Sequence, residues 1–150
     1  MTQQQDQSTG GMPDVSLRSA SAFVAGSGFE IDEITDTVVS GHADFGPDQF
    51  TPWGVVHGGV YTTIVETAGS VGGSHAVRGR GQFAVGVHNA TDFLRPSTGG
   101  RALVRATALH QGRTQQLWEV VITSEESGKD LARGQLRVQN VPLPESTPAH

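Results

Sequence analysis

The alternation of apolar and polar positions changes period twice along the chain. Residues 29–34 and 37–45 read as two strands separated by a turn near Asp36, the second alternating loosely and carrying Val38, Val39 and Phe45. Residues 50–56 are a loop broken by Pro52 and Gly54. From residue 58 to about 75 the period lengthens. Val60, Ile64, Ala68 and Val71 recur at three- and four-residue spacing, which places one apolar face on a helix. After the glycine-rich turn at 78–81 the pattern reads as strand again, over 82–94, 101–111, 115–124 and 131–141, with turns at 97–100, Gly112 and 127–130. In the 101–111 segment Leu103, Arg105 and Thr107 point one way, and Ala102, Val104, Ala106 and Ala108 the other.

Two strands, one helix and four meandering strands predict an α+β fold, an antiparallel sheet of about six strands packed on a single helix. One helix covers only one sheet face, so homodimerisation or higher symmetric assembly is expected. The 150 residues suffice for one compact domain. Residues 1–14 are polar and without period and are expected to be disordered, the domain runs over 15–141, and the proline-rich 142–150 tail is expected to be loose.

Charge and composition narrow the function. The net charge is −5 and no lysine/arginine cluster offers a basic face, which argues against a nucleic-acid partner. The chain has no cysteine, so disulfides, thiolate metal sites and a cysteine nucleophile are excluded. No run approaches a membrane span and the first residues lack a signal-peptide pattern, so a soluble cytoplasmic protein with no membrane partner is the expectation.

The chemistry concentrates in residues 53–70. Gly58 and Gly59 open the helix, where N–H groups without helical partners sit at the positive end of the dipole and suit a carbonyl oxygen gaining charge. Glu66 lies about two turns further on, with Thr62, Gly69, Ser70 and Gly73 at three- and four-residue spacing. No lysine or arginine stands at that spacing, as a solvated glutamate would usually have. Gly69, Gly72 and Gly73 each cost the helix on the order of 1 kcal/mol relative to alanine, so something other than helicity favours them. The bland alternative is a tight turn with His57 as cap, a surface Glu66, and glycines that allow close packing. Any one feature alone fits that alternative; together they favour a site.

The pattern Trp53-Gly54-x-Val56-His57-Gly58-Gly59, followed by Glu66 and Ser70, resembles the 4-hydroxybenzoyl-CoA thioesterase branch of the hotdog superfamily, including phenylacetate-pathway-type thioesterases. Residues 89–96 and 109–120 are similar to later strands of that family, and the resemblance covers roughly 31–138. It implies a hotdog fold, a long central helix wrapped by a curved sheet, and dimers that pair as dimers of dimers with the site at the dimer interface. It implies hydrolysis of an aromatic or medium-chain acyl-CoA without metal or other cofactor. Glu66 would be nucleophile or general base, and the Gly58 N–H would polarise the carbonyl. Ser70 would place water or substrate, and His57 would order the loop. Gly59, Asn89, Trp53 and Arg95 would border substrate, Arg95 at a coenzyme A phosphate. One departure stands out: the family commonly has glutamine or asparagine six residues before the histidine, and this chain has Thr51.

Other sites fare worse. The six histidines form no HxH or HExxH arrangement, which argues against a metal site. The glycines at 79–81 fall between helix and strand, the wrong order for a dinucleotide fingerprint. No Gly-x-Ser-x-Gly elbow is present. Trp118 and Trp53 read as core or interface residues before ligand platforms, though Trp53 lies close enough in sequence to His57 to border the acyl pocket. Two alternatives to hydrolysis remain at this point: a non-catalytic acyl-CoA-binding protein, which the Thr51 departure keeps open, and an acyl-thioester dehydratase, whose histidine–carboxylate arrangement is not reproduced by His57 and Glu66.

Overall fold

A computed structural model describes residues 16, 17 and 19–145; the segment 1–14 and residues 146–150 of the expected tail lie outside the described residues. A five-residue helix α1 (Ala22–Gly26) comes first, capped by the Ser21 hydroxyl accepting from the Val24 N–H. It stops where Gly28 takes a positive φ of 76° and turns the chain into β1 (Phe29–Ile34). Then follow β2 (Val38–Phe45), the long helix α2 (Gly58–Val77), β3 (Gln82–Phe93), β4 (Gly100–Gln111), β5 (Gln115–Ser124) and β6 (Asp130–Pro142). The six strands form one antiparallel sheet in the order β1-β2-β4-β5-β6-β3, with α2 against its inner face. The predicted α+β architecture is observed. Because β3 follows the helix and pairs with the last strand, it becomes an edge strand beside β6.

Alternation decides which side chains are buried. Along β4 Ala102, Val104 and Ala106 are buried while Leu103 is 46% exposed, as the period-two pattern requires. Trp118, Val120 and Ile122 of β5 and Leu136 and Val138 of β6 complete the sheet side of the core. Each apolar side chain of that size contributes about 1.5–3 kcal/mol when fully buried.

The buried face of α2 is Tyr61, Ile64, Val65, Ala68, Gly69, Gly72 and Gly73, with Val77 at its end. This stripe is turned from the predicted one: Ile64 and Ala68 are shared, but Val60 and Val71 lie at its half-buried margin. The reason lies in the glycines. A Cβ on Gly72 would stand 2.7 Å from the Trp118 ring, and one on Gly69 would stand 2.6 Å from Leu136 Cδ2. These glycines let the helix lie close on the sheet. They belong to packing, not to free space around Glu66.

A buried polar network ties helix to sheet. Gln116, 1% exposed, donates to the Gly73 carbonyl (3.0 Å) and to Asn140 Oδ1 (2.8 Å) and accepts from Trp118 Nε1 (3.0 Å). Asn140 in turn donates to the carbonyls of Gly112 and Arg113, closing the β4–β5 turn. At the far end β6 reaches Pro142, opposite Gln82, and the Leu143 N–H donates to the Gly81 carbonyl. The strand therefore extends to the point where the loose tail was expected to begin. No helix among the described residues is long and apolar enough to cross a membrane.

Candidate active site

The start of α2 is held from several directions. The His57 N–H donates to the Gln49 carbonyl (2.9 Å), and the Val56 N–H donates to the Ser97 carbonyl (2.9 Å). His57 is the N-cap in extended conformation, and its Nδ1 accepts from the Gly59 N–H at 2.8 Å. A backbone N–H can only donate, so Nδ1 carries no proton and, in the neutral ring, Nε2 does. The Val60 N–H goes to the His57 carbonyl. The Gly58 N–H is left without a partner among the described residues, at the positive end of a 20-residue helix. Gly58 also lines a shallow groove of about 200 Å³, together with Tyr61, Phe93 and Arg95. The Phe93 ring lies over Gly58 so closely that a Cβ there would be 2.8 Å from it.

Glu66 sits two turns along the same helix, half-buried against β3. Ser70 Oγ donates to its Oε1 and Asn89 Nδ2 to its Oε2, each at 3.5 Å. Asn89 is itself fixed, donating to the Thr62 carbonyl (3.1 Å) and accepting from Thr91 Oγ1 (2.7 Å). Both donors to the carboxylate are neutral, so they orient its charge without cancelling it. The strand makes room for it: Gly86 lies so close that a Cβ there would fall 2.1 Å from Glu66 Oε1. The register of β3 against β6 shifts between Gly86 and His88, a bulge at the position facing the carboxylate.

The structure therefore brings Glu66, Ser70 and Asn89 together, and separately His57, Gly58 and Gly59. Two contributors were missed in the sequence. Gly86 carried a readable signal, since a glycine inside a strand marks a bulge or a close approach. Gln49 carried none: its role comes from tertiary bonds of its side chain to Gly46 and Gly26.

The model of the Thioesterase superfamily matches residues 54–130, which include His57, Gly58, Glu66 and Ser70. The chain belongs to the thioesterase superfamily. A Mycobacterium tuberculosis protein named as an esterase is 39% identical over 119 residues, 76% of this chain and 82% of its own. Its solved structure superposes with a TM-score of 0.77, covering 81% of this chain and 98% of that one at 36% identity. A Haemophilus influenzae thioesterase structure gives a TM-score of 0.77 at 32% identity, covering 86% and 88%. A hypothetical thioesterase of Streptococcus pneumoniae solved with coenzyme A shares the fold at 19% identity and a TM-score of 0.70, covering 78% and 88%. The six-stranded sheet around one long helix is thus the superfamily's hotdog fold.

Within this superfamily member the other residues expected at the site take these places. Trp53, expected beside substrate, is 86% exposed on the tight turn with Gly54 at φ 77°, and lines neither this groove nor the one beside α1. Thr51, a candidate at the thioester, accepts at its hydroxyl from the Trp53 N–H (3.2 Å) in the same turn and keeps its own O–H to donate. Asn89, expected at substrate, donates from Nδ2 to Glu66 Oε2 (3.5 Å). Arg95 is among the residues lining the groove, its Nη1 donating to the Asp130 carbonyl (2.9 Å).

Proposed function

We propose that the protein hydrolyses an acyl-CoA thioester, aromatic or medium-chain, to the free acid and coenzyme A, and that each active site joins Gly58 of one copy to Glu66 of another. The observation that carries this is Glu66: an oriented carboxylate with neutral donors, held at a strand bulge beside an edge strand. Superfamily membership and the thioesterase-named relatives support hydrolysis, and the coenzyme A held by the pneumococcal neighbour supports the thiol.

The two-copy arrangement follows from helix geometry. Gly58 and Glu66 are eight residues apart, which is about 12 Å along the axis. A carbonyl must lie about 3 Å from its oxyanion donor and about as close to the attacking atom. Ser70 and Asn89 hold the carboxylate beside its own turn, short of Gly58. Edge strand β3 leaves one row of backbone groups unpaired, with Val85 and Val87 exposed at 41% and 52%. Antiparallel pairing of two β3 edges sets two α2 helices side by side in opposite directions, and the Glu66 of each approaches the Gly58 of the other. Pairs of such dimers then form the complete assembly.

In the reaction Glu66 takes a proton from water, whose oxygen attacks the thioester carbon, or attacks it directly to give an anhydride that water opens. The carbonyl oxygen takes up charge at the Gly58 N–H. The C–S bond breaks, and the thiolate of coenzyme A leaves and gains a proton. Free thiol released from a panel of aromatic and aliphatic acyl-CoAs tests the reading. Wild-type turnover should be lost in Glu66→Gln with the fold retained. Full activity in that variant sinks the mechanism, and binding of acyl-CoA without thiol release by the wild type would favour a binding protein instead.

A further inference from the structure

On the other side of the α2 start lies a larger groove, about 380 Å³, between α1 and the first two turns of α2. Phe23 and Gly26 line it from α1, Gly59, Val60 and Thr63 from α2, and His57, the residue before Gly58, lines it as well. We propose that this groove takes the acyl group of the thioester and that α1, through Phe23 and Gly26, sets the acyl length accepted. The proposal rests on the thioesterase reading above and adds the element that decides substrate size.

Four observations support that occupant. A cavity of about 150 Å³ lined by apolar side chains takes benzene; this groove has more than twice that volume, room for a ring with a short linker or a medium alkyl chain. Phe23 is 74% exposed, a large apolar ring that the described chain leaves uncovered at the groove wall. The smaller groove counts Arg95 among its lining residues and so suits the charged coenzyme end, leaving the uncharged groove for carbon. The wall is also built firmly. Gln49, 9% exposed, donates from Nε2 to the Gly26 carbonyl (3.0 Å) and accepts at Oε1 from the Gly46 N–H (2.9 Å). Its own carbonyl accepts from the His57 N–H (2.9 Å), so one residue fixes the distance between α1 and the cap of α2.

The two wall residues allow opposite perturbations. A side chain on Gly26 would meet nothing within 4 Å, and its φ is not positive, so leucine there enters open space without backbone strain. Phe23→Ala removes a ring that touches solvent and leaves the core intact. Thiol release is followed on saturated acyl-CoAs from acetyl to palmitoyl and on phenylacetyl-CoA. Gly26→Leu should lower kcat/KM by about fourfold for each methylene it displaces, the equivalent of about 0.8 kcal/mol, so that the loss grows with acyl length and is smallest on acetyl-CoA. Phe23→Ala should move the optimum towards longer chains.

Thermal midpoints check folding, and Gly26→Ala should repeat the leucine effect in weaker form if the leucine variant unfolds. The same relative profile in all variants, or a uniform loss over all lengths, overturns the proposal. Should the wild type hydrolyse none of the series, the hydrolytic reading fails by itself, and the groove is judged by the Kd of each variant for the same acyl-CoAs. Opposite shifts in length preference then sustain the groove; parallel Kd values overturn it.

Discussion

Gly86→Ala is the smallest change that should disable the protein without touching a reacting group. The added Cβ would lie 2.1 Å from Glu66 Oε1, 2.9 Å from Cδ and 3.0 Å from Oε2, so no rotation of the carboxylate alone relieves the clash. Restoring ordinary contact at 3.4 Å requires Oε1 to withdraw by about 1.3 Å. That shift also breaks the 3.5 Å hydrogen bonds from Ser70 and Asn89. A misplacement of about 1 Å at a reacting group costs roughly a hundredfold in rate, so kcat should fall by about that factor. Stability should change little, because the atoms that must give are the end of a flexible side chain and Gly86 has no positive φ. Stopped assays of thiol release, with the thermal midpoint measured in parallel, read both effects. A kcat within twofold of wild type in a folded Gly86→Ala protein would falsify the assignment of Glu66 to the reacting carboxylate position.

Two further substitutions test the packing around the site. Tyr61 is buried at 2% exposure and its hydroxyl finds no hydrogen bond of normal geometry; burial pushes the phenol above its ordinary 10.0, and the nearby Ser97 hydroxyl offsets this only in part. Tyr61→Phe should therefore be neutral or stabilising at pH 7, and a loss above about 1 kcal/mol in urea unfolding would show a hydrogen bond that geometry denies. The raised value favours the neutral phenol in the folded state, so that contribution is complete below pH 10.0 and is lost as pH rises through the folded value. The phenylalanine variant should lack this alkaline loss. Gln116→Leu should cost about 3 kcal/mol, because Trp118 Nε1 and Asn140 Oδ1 lose their partners in the core; a denaturation midpoint unchanged from wild type would contradict the network's role.

Much of the fold was legible because each element owes its form to local pattern. The alternation of Ala102, Val104 and Ala106 and the start of α2 at Gly58 both stand where periodicity and capping place them. What escaped was set by tertiary contact. The helix α1 spans five residues, too few for a period to show, and is held by Gln49 from a distant loop. The face of α2 turned because Trp118 and Leu136 select glycine at positions 72 and 69, which no helical pattern of apolar residues records. Within the site, Glu66 and Ser70 were readable as neighbours one turn apart, whereas Gly86 meets Glu66 only after the sheet has formed.

The most direct test of the two-copy site is complementation between two inactive chains. Glu66→Gln removes the carboxylate, and Gly58→Pro removes the N–H while keeping a φ that the first helical position accepts; Phe93, 56% exposed, can swing aside for the ring. Each variant alone should be inactive. Co-expressed with different tags and purified as the species carrying both, they form a dimer in which one site has Gly58 and Glu66 intact and the other has neither. The account predicts that thiol release returns in that mixed species, to at most about half the wild-type value, because two unlike homodimers paired in one assembly also carry both tags. A mixed species as inactive as its parents would place both groups in one chain and contradict it.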